Sequence, residues 1–136
     1  MPSYTFHSLS DADFEELCRD LLQASLQLRL QSFTKGRDGG IDLLNTSRDG
    51  DTIVQCKHYC GSGFSKLKSK IEREEVPKLK KLNPKRYILC TSIGLTPDNK
   101  KALVEILKPY CLSSDDIFGC SDLNGLLRDY PKVETA

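Results

Sequence analysis

An aspartate that follows two glycines, and a lysine set inside an apolar run, are the residues of this chain best suited to chemistry. The stretch GRDGGIDLLNTSRDGDTIVQCKHY, residues 36 to 59, holds them as Asp42 and Lys57, with Gln55 two positions before the lysine. Side chains two apart on a strand share a face, so Gln55 and Lys57 point together. The simplest role for Asp42 and Lys57 is a cross-strand ion pair, which contributes a fraction of a kcal/mol up to about 1 kcal/mol. Three features favour a chemical role. The glycines permit close approach of backbone or ligand, Gln55 adds a polar group to the same face, and a helix containing FEE, residues 14 to 16, can bring Glu15 or Glu16 from one side. Several oxygen donors around a hard cation, with an ammonium nearby, suit metal-assisted phosphodiester hydrolysis. In that chemistry Mg2+ neutralises the scissile phosphate and acidifies an attacking water, while the lysine stabilises developing negative charge or orients the water.

These residues need rigid elements to hold them. LSDADFEELCRDLLQASL predicts a helix capped by Ser10 or Asp11, with Phe14, Leu17, Cys18, Leu21 and Leu22 at helical spacing. Residues 28 to 34 alternate like a strand. IDLLN and TIVQCKHY are β-branched, apolar runs separated by TSRDG, a hairpin signal. Placing Asp49 and Gly50 at the centre of that turn sets Asp42 opposite Lys57 and Leu44 opposite Gln55. Asp42, Gln55 and Lys57 then form one polar group, and Leu43, Val54 and Cys56 face the other way with His58, which is read as a packing or hydrogen-bonding residue. Downstream, Phe64, Leu67 and Ile71 predict one helix, and Pro77 opens a second that carries Leu79 and Leu82. A strand KRYILCTS, a helix opened by Pro97, a short strand DIFGC and a last helix capped by Ser121 complete the chain. The order αβββ, then α, β, α, β, α, predicts an α/β fold: a mixed sheet with helices on both faces.

GRDGGIDLL followed by TIVQCKHY resembles the Mrr-type branch of the PD-(D/E)xK restriction-endonuclease superfamily, in which glutamine replaces the acid of the second motif to give QxK. FEELCRDLL extends the likeness to the preceding helix. The resemblance implies a restriction-endonuclease-like fold and Mg2+-dependent cleavage of DNA, with Mn2+ able to substitute. Carried over by residue, it makes Asp42 a metal ligand, joined by the backbone carbonyl of Cys56. Gln55 and Lys57 take the QxK positions, with Lys57 acting on the water or the scissile phosphate. Glu15 takes the helix glutamate's place at the metal, Glu16 being the alternative if the helix is rotated; Asp38 is a second acidic candidate that ranks below Glu15. Neutral Gln55 leaves the site one charge short of a carboxylate version.

Between Lys66 and Arg86, nine basic residues stand against three acids, a local excess hidden by a net charge of +1. Such a segment either tracks the phosphates of duplex DNA, with Lys66, Lys68 and Lys70 nearest the candidate site, or is a solvated helix face. The six cysteines contain no Cys-x-x-Cys pair and several lie in apolar runs, so they read as reduced, buried small side chains of a cytoplasmic protein rather than as zinc ligands. No segment has the pattern of a secretion signal or approaches the ~20 apolar residues of a membrane span. With 136 residues and 38% hydrophobic content, the chain is expected to form a single domain, 1–136. The resemblance further implies a bacterial restriction or antiphage-defence role, with this domain as the N-terminal effector module of a larger protein carrying a fused NTPase or sensor region. A homodimer or higher oligomer would allow both DNA strands to be cut. The competing readings are a catalytically inactive DNA-binding module of the same fold and a protein-interaction domain in which Asp42 and Lys57 merely pair.

Overall fold

The computed structural model describes residues 6, 8–32, 42–58 and 63–132. Its elements run α1 (Asp11–Leu26), β1 (Gln31–Ser32), β2 (Leu43–Asn45), β3 (Thr52–Lys57), α2 (Phe64–Lys70), a π-helical segment (Ile71–Glu75), α3 (Val76–Leu82), β4 (Arg86–Thr91), α4 (Pro97–Leu107), a short 3-10 turn (Ser114–Asp116), β5 (Ile117–Phe118) and α5 (Cys120–Asp129). The five strands lie in the order β1-β2-β3-β4-β5. β2 runs antiparallel to its neighbours β1 and β3, and β4 and β5 run parallel to β3. This is the mixed sheet with helices on both faces that the element order predicts.

Alternation along the strands divides the core in two. Leu43, Val54, Ile88 and Cys90 face Phe14, Cys18, Leu21 and Leu22 of α1 and Leu123 and Leu127 of α5. Ile53, Tyr87 and Leu89 face Leu67, Ile71 and Leu79 of the α2–α3 rod and Leu103 and Leu107 of α4. Full burial of each such aliphatic side chain contributes roughly 1.5–3 kcal/mol. β4 is buried along nearly its whole length, as a parallel strand covered on both faces must be. Helix ends follow local chemistry. Ser10 Oγ accepts from the Asp13 N–H at the start of α1, and Thr96 and Asn99 cap α4 reciprocally. At α5 the cap lies two residues before the expected position: Gly119 is the N-cap, Cys120 is already helical, and the Asp122 carboxylate accepts from the Gly119 N–H at 2.8 Å. Ser121 is therefore inside the helix.

Two further expectations are corrected. The β2–β3 turn is centred on Arg48 and Asp49, with the Gly50 N–H donating to the Ser47 carbonyl at 3.2 Å. Gly50 follows at φ 128, where a Cβ would lie 2.8 Å from Lys85 Cβ. The glycine is thus required after the turn rather than at its centre. Leu44 consequently pairs with Ile53, and Asp42, just outside the ladder, comes level with Gln55 instead of Lys57. A slip of two residues preserves every side chain's face, so the polar group stays together. The second correction concerns Pro77. No break separates α2 from α3: the chain continues through the π-helical turn, in which the Val76 N–H donates to the Ile71 carbonyl five residues back. Proline has no N–H to give and crowds the preceding turn; the widened turn accommodates it without ending the helix.

Candidate active site

The start of β2 and the carboxyl end of β3 meet at one end of the sheet, where the first turns of α1 and the end of α2 also arrive. Asp11, Glu15, Asp42, Gln55, Cys56, Lys57, His58 and Lys70 line a cavity of about 220 Å³ there. Ligands of open α/β sheets commonly sit at strand carboxyl ends. Glu15, Asp42, Gln55 and Lys57, singled out by residue type and spacing, are thereby brought to one cavity. Glu16 is exposed on the outer side of α1, and it is Glu15 that borders the cavity. Asp38 lies outside the described residues.

Asp42 is fixed by backbone. Its Oδ2 accepts from the Cys56 N–H at 2.8 Å, which holds the carboxyl beside β3 between Gln55 and Lys57. Burial raises the Asp42 carboxyl above its ordinary range; the Cys56 N–H, a hydrogen bond with Glu15 and the Lys57 charge pull the other way, while Glu75 adds to the rise. Beside Asp42, Gln55 is 5% exposed, and its Oε1 is buried with no hydrogen-bond partner among the described residues. A buried oxygen left in this way costs about 1–3 kcal/mol unless a ligand satisfies it. The described residues contain no group of three or more His, Cys, Asp or Glu able to hold a metal ion. The donors present are two carboxyls supplemented by amide oxygens, a hard set of the kind that suits a divalent cation.

Lys57 is placed from the other side. Its Nζ lies 3.1 Å from Glu75 Oε2, and the same oxygen meets Lys78 Nζ at 3.0 Å. The second oxygen, Oε1, accepts from the Tyr87 hydroxyl at 3.2 Å. Glu75 is 1% exposed. Burial first, then the Glu75 charge, raises the Tyr87 hydroxyl well above its ordinary pKa, so Tyr87 keeps its proton and donates it to the carboxylate. Sequence reasoning counted Glu75 only among the acids of a basic segment. The signal was its position, because Ile71, Glu75 and Leu79 follow one another at four-residue spacing along the stripe that Leu67 begins. A carboxylate on that stripe has to be buried.

His58 stacks on Phe14, with ring centroids 4.7 Å apart, and its Nε2 hydrogen-bonds the Leu9 carbonyl at 2.8 Å. Packing and hydrogen bonding thus occupy this ring, although it also borders the cavity. The five described cysteines are free, and burial pushes the Cys18 thiol well above its ordinary pKa; Cys60 lies outside the described residues. In the basic segment, Lys66 is exposed and Lys68 half-buried, and Lys70 borders the cavity. Lys78 is engaged with Glu75 and Arg86 with Asp116, the latter through two hydrogen bonds of 2.7 and 3.0 Å. The expected basic face is therefore narrower than the count of charges suggests. No helix among the described residues is long and apolar enough to cross a membrane.

Comparison with known proteins places the chain in a family. The family model described as restriction endonuclease, Mrr_cat, matches residues 6–106, a span that includes every residue lining the cavity. The protein y4cD of Sinorhizobium fredii (strain NBRC 101917 / NGR234), described as uncharacterized, is 52% identical over 133 residues, covering 98% of this chain but 21% of that protein. The chain thus spans about a fifth of that relative's length. By the extent of the family match, it is a nuclease-family domain and belongs to the Mrr-type restriction endonucleases.

Proposed function

We propose that this domain is a Mg2+-dependent DNA endonuclease that hydrolyses phosphodiester bonds. The observation that carries the reading is the meeting of the Asp42 and Glu15 carboxyls, the unsatisfied Gln55 oxygen and the Lys57 side chain around one cavity. Asp42, Glu15, Gln55 and the backbone carbonyl of Cys56 would hold the cation, for which Mn2+ can substitute. When bound, Mg2+ supplies charge neutralisation at the scissile phosphate and acidifies a water. Lys57 stabilises the negative charge that develops on the phosphate oxygens and orients the attacking water. Asp42, held by the Cys56 N–H, keeps its carboxyl in place as the substrate enters. Lys66, Lys68 and Lys70, on the helix that follows the catalytic strand, contact the phosphates of double-stranded DNA.

A single site cuts one strand, so double-strand cleavage calls for a homodimer, a higher oligomer or successive nicks. The length of y4cD relative to this chain supports a module within a larger protein; by family resemblance we read that protein as a bacterial defence protein with a fused NTPase or sensor region, acting in the cytoplasm. The second reading is a DNA-binding module without turnover, and neutral Gln55 is the observation that favours it. Plasmid cleavage with and without Mg2+ separates them, comparing wild type with Asp42→Ala and Lys57→Ala proteins shown by circular dichroism to fold. Metal-dependent cutting that each substitution lowers by about 10²-fold or more, the scale of removing one transition-state donor, is the expected result. Salt-sensitive DNA binding without cutting, unchanged in both variants, would leave the binding module.

A further inference from the structure

Glu75 takes no part in lining the cavity, yet it is the residue against which Lys57 rests. We propose that Glu75 is a positioning residue for Lys57, an inference that rests on the nuclease reading above. Three geometric facts support it. First, both carboxylate oxygens are engaged, Oε2 by Lys57 and Lys78 and Oε1 by the Tyr87 hydroxyl. A carboxylate held at both oxygens cannot swing, so it presents Lys57 with a fixed acceptor. Second, its anchors are core. Tyr87 is fully buried on β4, and Ile71 and Leu79, one turn either side of Glu75, belong to the same buried cluster. Third, the charges do not cancel. Two ammonium groups, of Lys57 and Lys78, face one carboxylate, so Glu75 does not neutralise Lys57 by itself.

The π-helical turn is part of this device. It spans Ile71–Glu75 and ends on Glu75 itself, widening the helix where the carboxylate must reach the end of β3. Lys57 is a flexible four-carbon side chain that could otherwise take many rotamers. Pinning its ammonium before substrate arrives lowers the reorganisation needed at the moment of reaction. Glu75 acts through Lys57 alone, because at 1% exposure it cannot touch DNA.

The test uses Glu75→Gln, which preserves shape and an acceptor oxygen, and Tyr87→Phe, which leaves the carboxylate but removes one of its holders. Misplacement of a reacting group by about 1 Å costs on the order of 10²-fold in rate, so Glu75→Gln is expected to lower kcat roughly 10- to 100-fold. KM for a DNA duplex should stay within about threefold, since the groups that meet DNA are unchanged. Lys57 is faced by Asp42 from the start of β2, by Glu75 from the π-helical turn and, through Glu75, by Lys78 of α3 and Tyr87 of β4. Asp11 and Glu15 of α1, His58 after β3 and Lys70 of α2 border the same cavity; none of these is altered by either substitution. Tyr87→Phe should give a smaller fall in the same direction.

An independent readout is the side-chain 15N resonance of the Lys57 ammonium in metal-free protein, expected to shift and to exchange faster in Glu75→Gln. If Glu75→Gln lowers thermal stability but leaves kcat and the Lys57 resonance unchanged, the carboxylate is structural and the inference is overturned. Should that variant not fold, an unchanged rate and resonance in Tyr87→Phe overturns it equally. A wild-type protein that cuts no DNA would refute the nuclease reading instead, and the resonance comparison would still decide whether Glu75 holds Lys57.

Discussion

Substitution of Asp42 by asparagine and by alanine should separate its two tasks, holding a cation and closing a backbone hydrogen bond. In metal-free protein Asp42→Asn keeps an oxygen for the Cys56 N–H, which is bonded at 2.8 Å, and removes a charge that burial and the nearby Glu75 disfavour. Its stability at neutral pH should equal or exceed that of wild type. Asp42→Ala leaves the Cys56 N–H without its acceptor, a loss of about 1–3 kcal/mol. For a domain of 136 residues, each kcal/mol moves Tm by about 3–5 °C, between the values typical of smaller and larger domains. Asp42→Ala should therefore melt roughly 3–15 °C below Asp42→Asn. Cation binding acts the other way: at tenfold its dissociation constant a ligand contributes about 1.4 kcal/mol, raising the wild-type Tm by roughly 4–7 °C, and this rise should vanish in both variants. Differential scanning calorimetry with Mg2+, Mn2+ and EDTA measures all three proteins without DNA. Equal metal-induced shifts in wild type and Asp42→Asn would refute the assignment of the cation to this carboxyl.

The same carboxyl sets a pH dependence. Its folded pKa is raised above the ordinary value of 3.8, so its contribution to stability is present below that value and lost as pH rises through the folded value. Metal-free wild type should lose Tm relative to Asp42→Asn across that interval, and a constant difference from about pH 3 to 8 would contradict it. Replacing Lys66 and Lys68 together by alanine should weaken DNA binding across unrelated sequences and reduce the slope of log K against log salt by about 0.9 for each phosphate no longer neutralised; an unchanged slope, read by fluorescence anisotropy, would assign these lysines to solvent. Gly50→Ala should destabilise the domain by about 1–3 kcal/mol, because φ 128 and the 2.8 Å approach to Lys85 Cβ both oppose a side chain, and an unchanged Tm would show that the turn relaxes.

The order and type of the elements were legible because each is written in a local period: helical spacing in α1, alternation in β3, an unbroken apolar run in β4. The common face of Asp42, Gln55 and Lys57 was legible for the same reason, since strand alternation is fixed by covalent geometry and survives a two-residue change of register. The register itself was not, because Asp49-Gly50 reads locally as a turn centre, whereas the backbone turns at Arg48 and Asp49 and sets Gly50 against Lys85. Nor was the continuity of α2 and α3 through Pro77, where packing of Leu67, Ile71 and Leu79 on one core outweighs the local signal to break.

For the candidate site, the sequence by itself supplied residue types, their shared face and a choice of Glu15 or Glu16; the rotation of α1 on the sheet brings Glu15 to the cavity and leaves Glu16 exposed. Only the tertiary structure could bring the Cys56 N–H to Asp42 and Glu75 to Lys57, since each pairing joins segments whose separation in the chain carries no periodic signal. A buried charge is tolerated only where its partners converge. That convergence is a property of the packed fold, and local pattern cannot encode it.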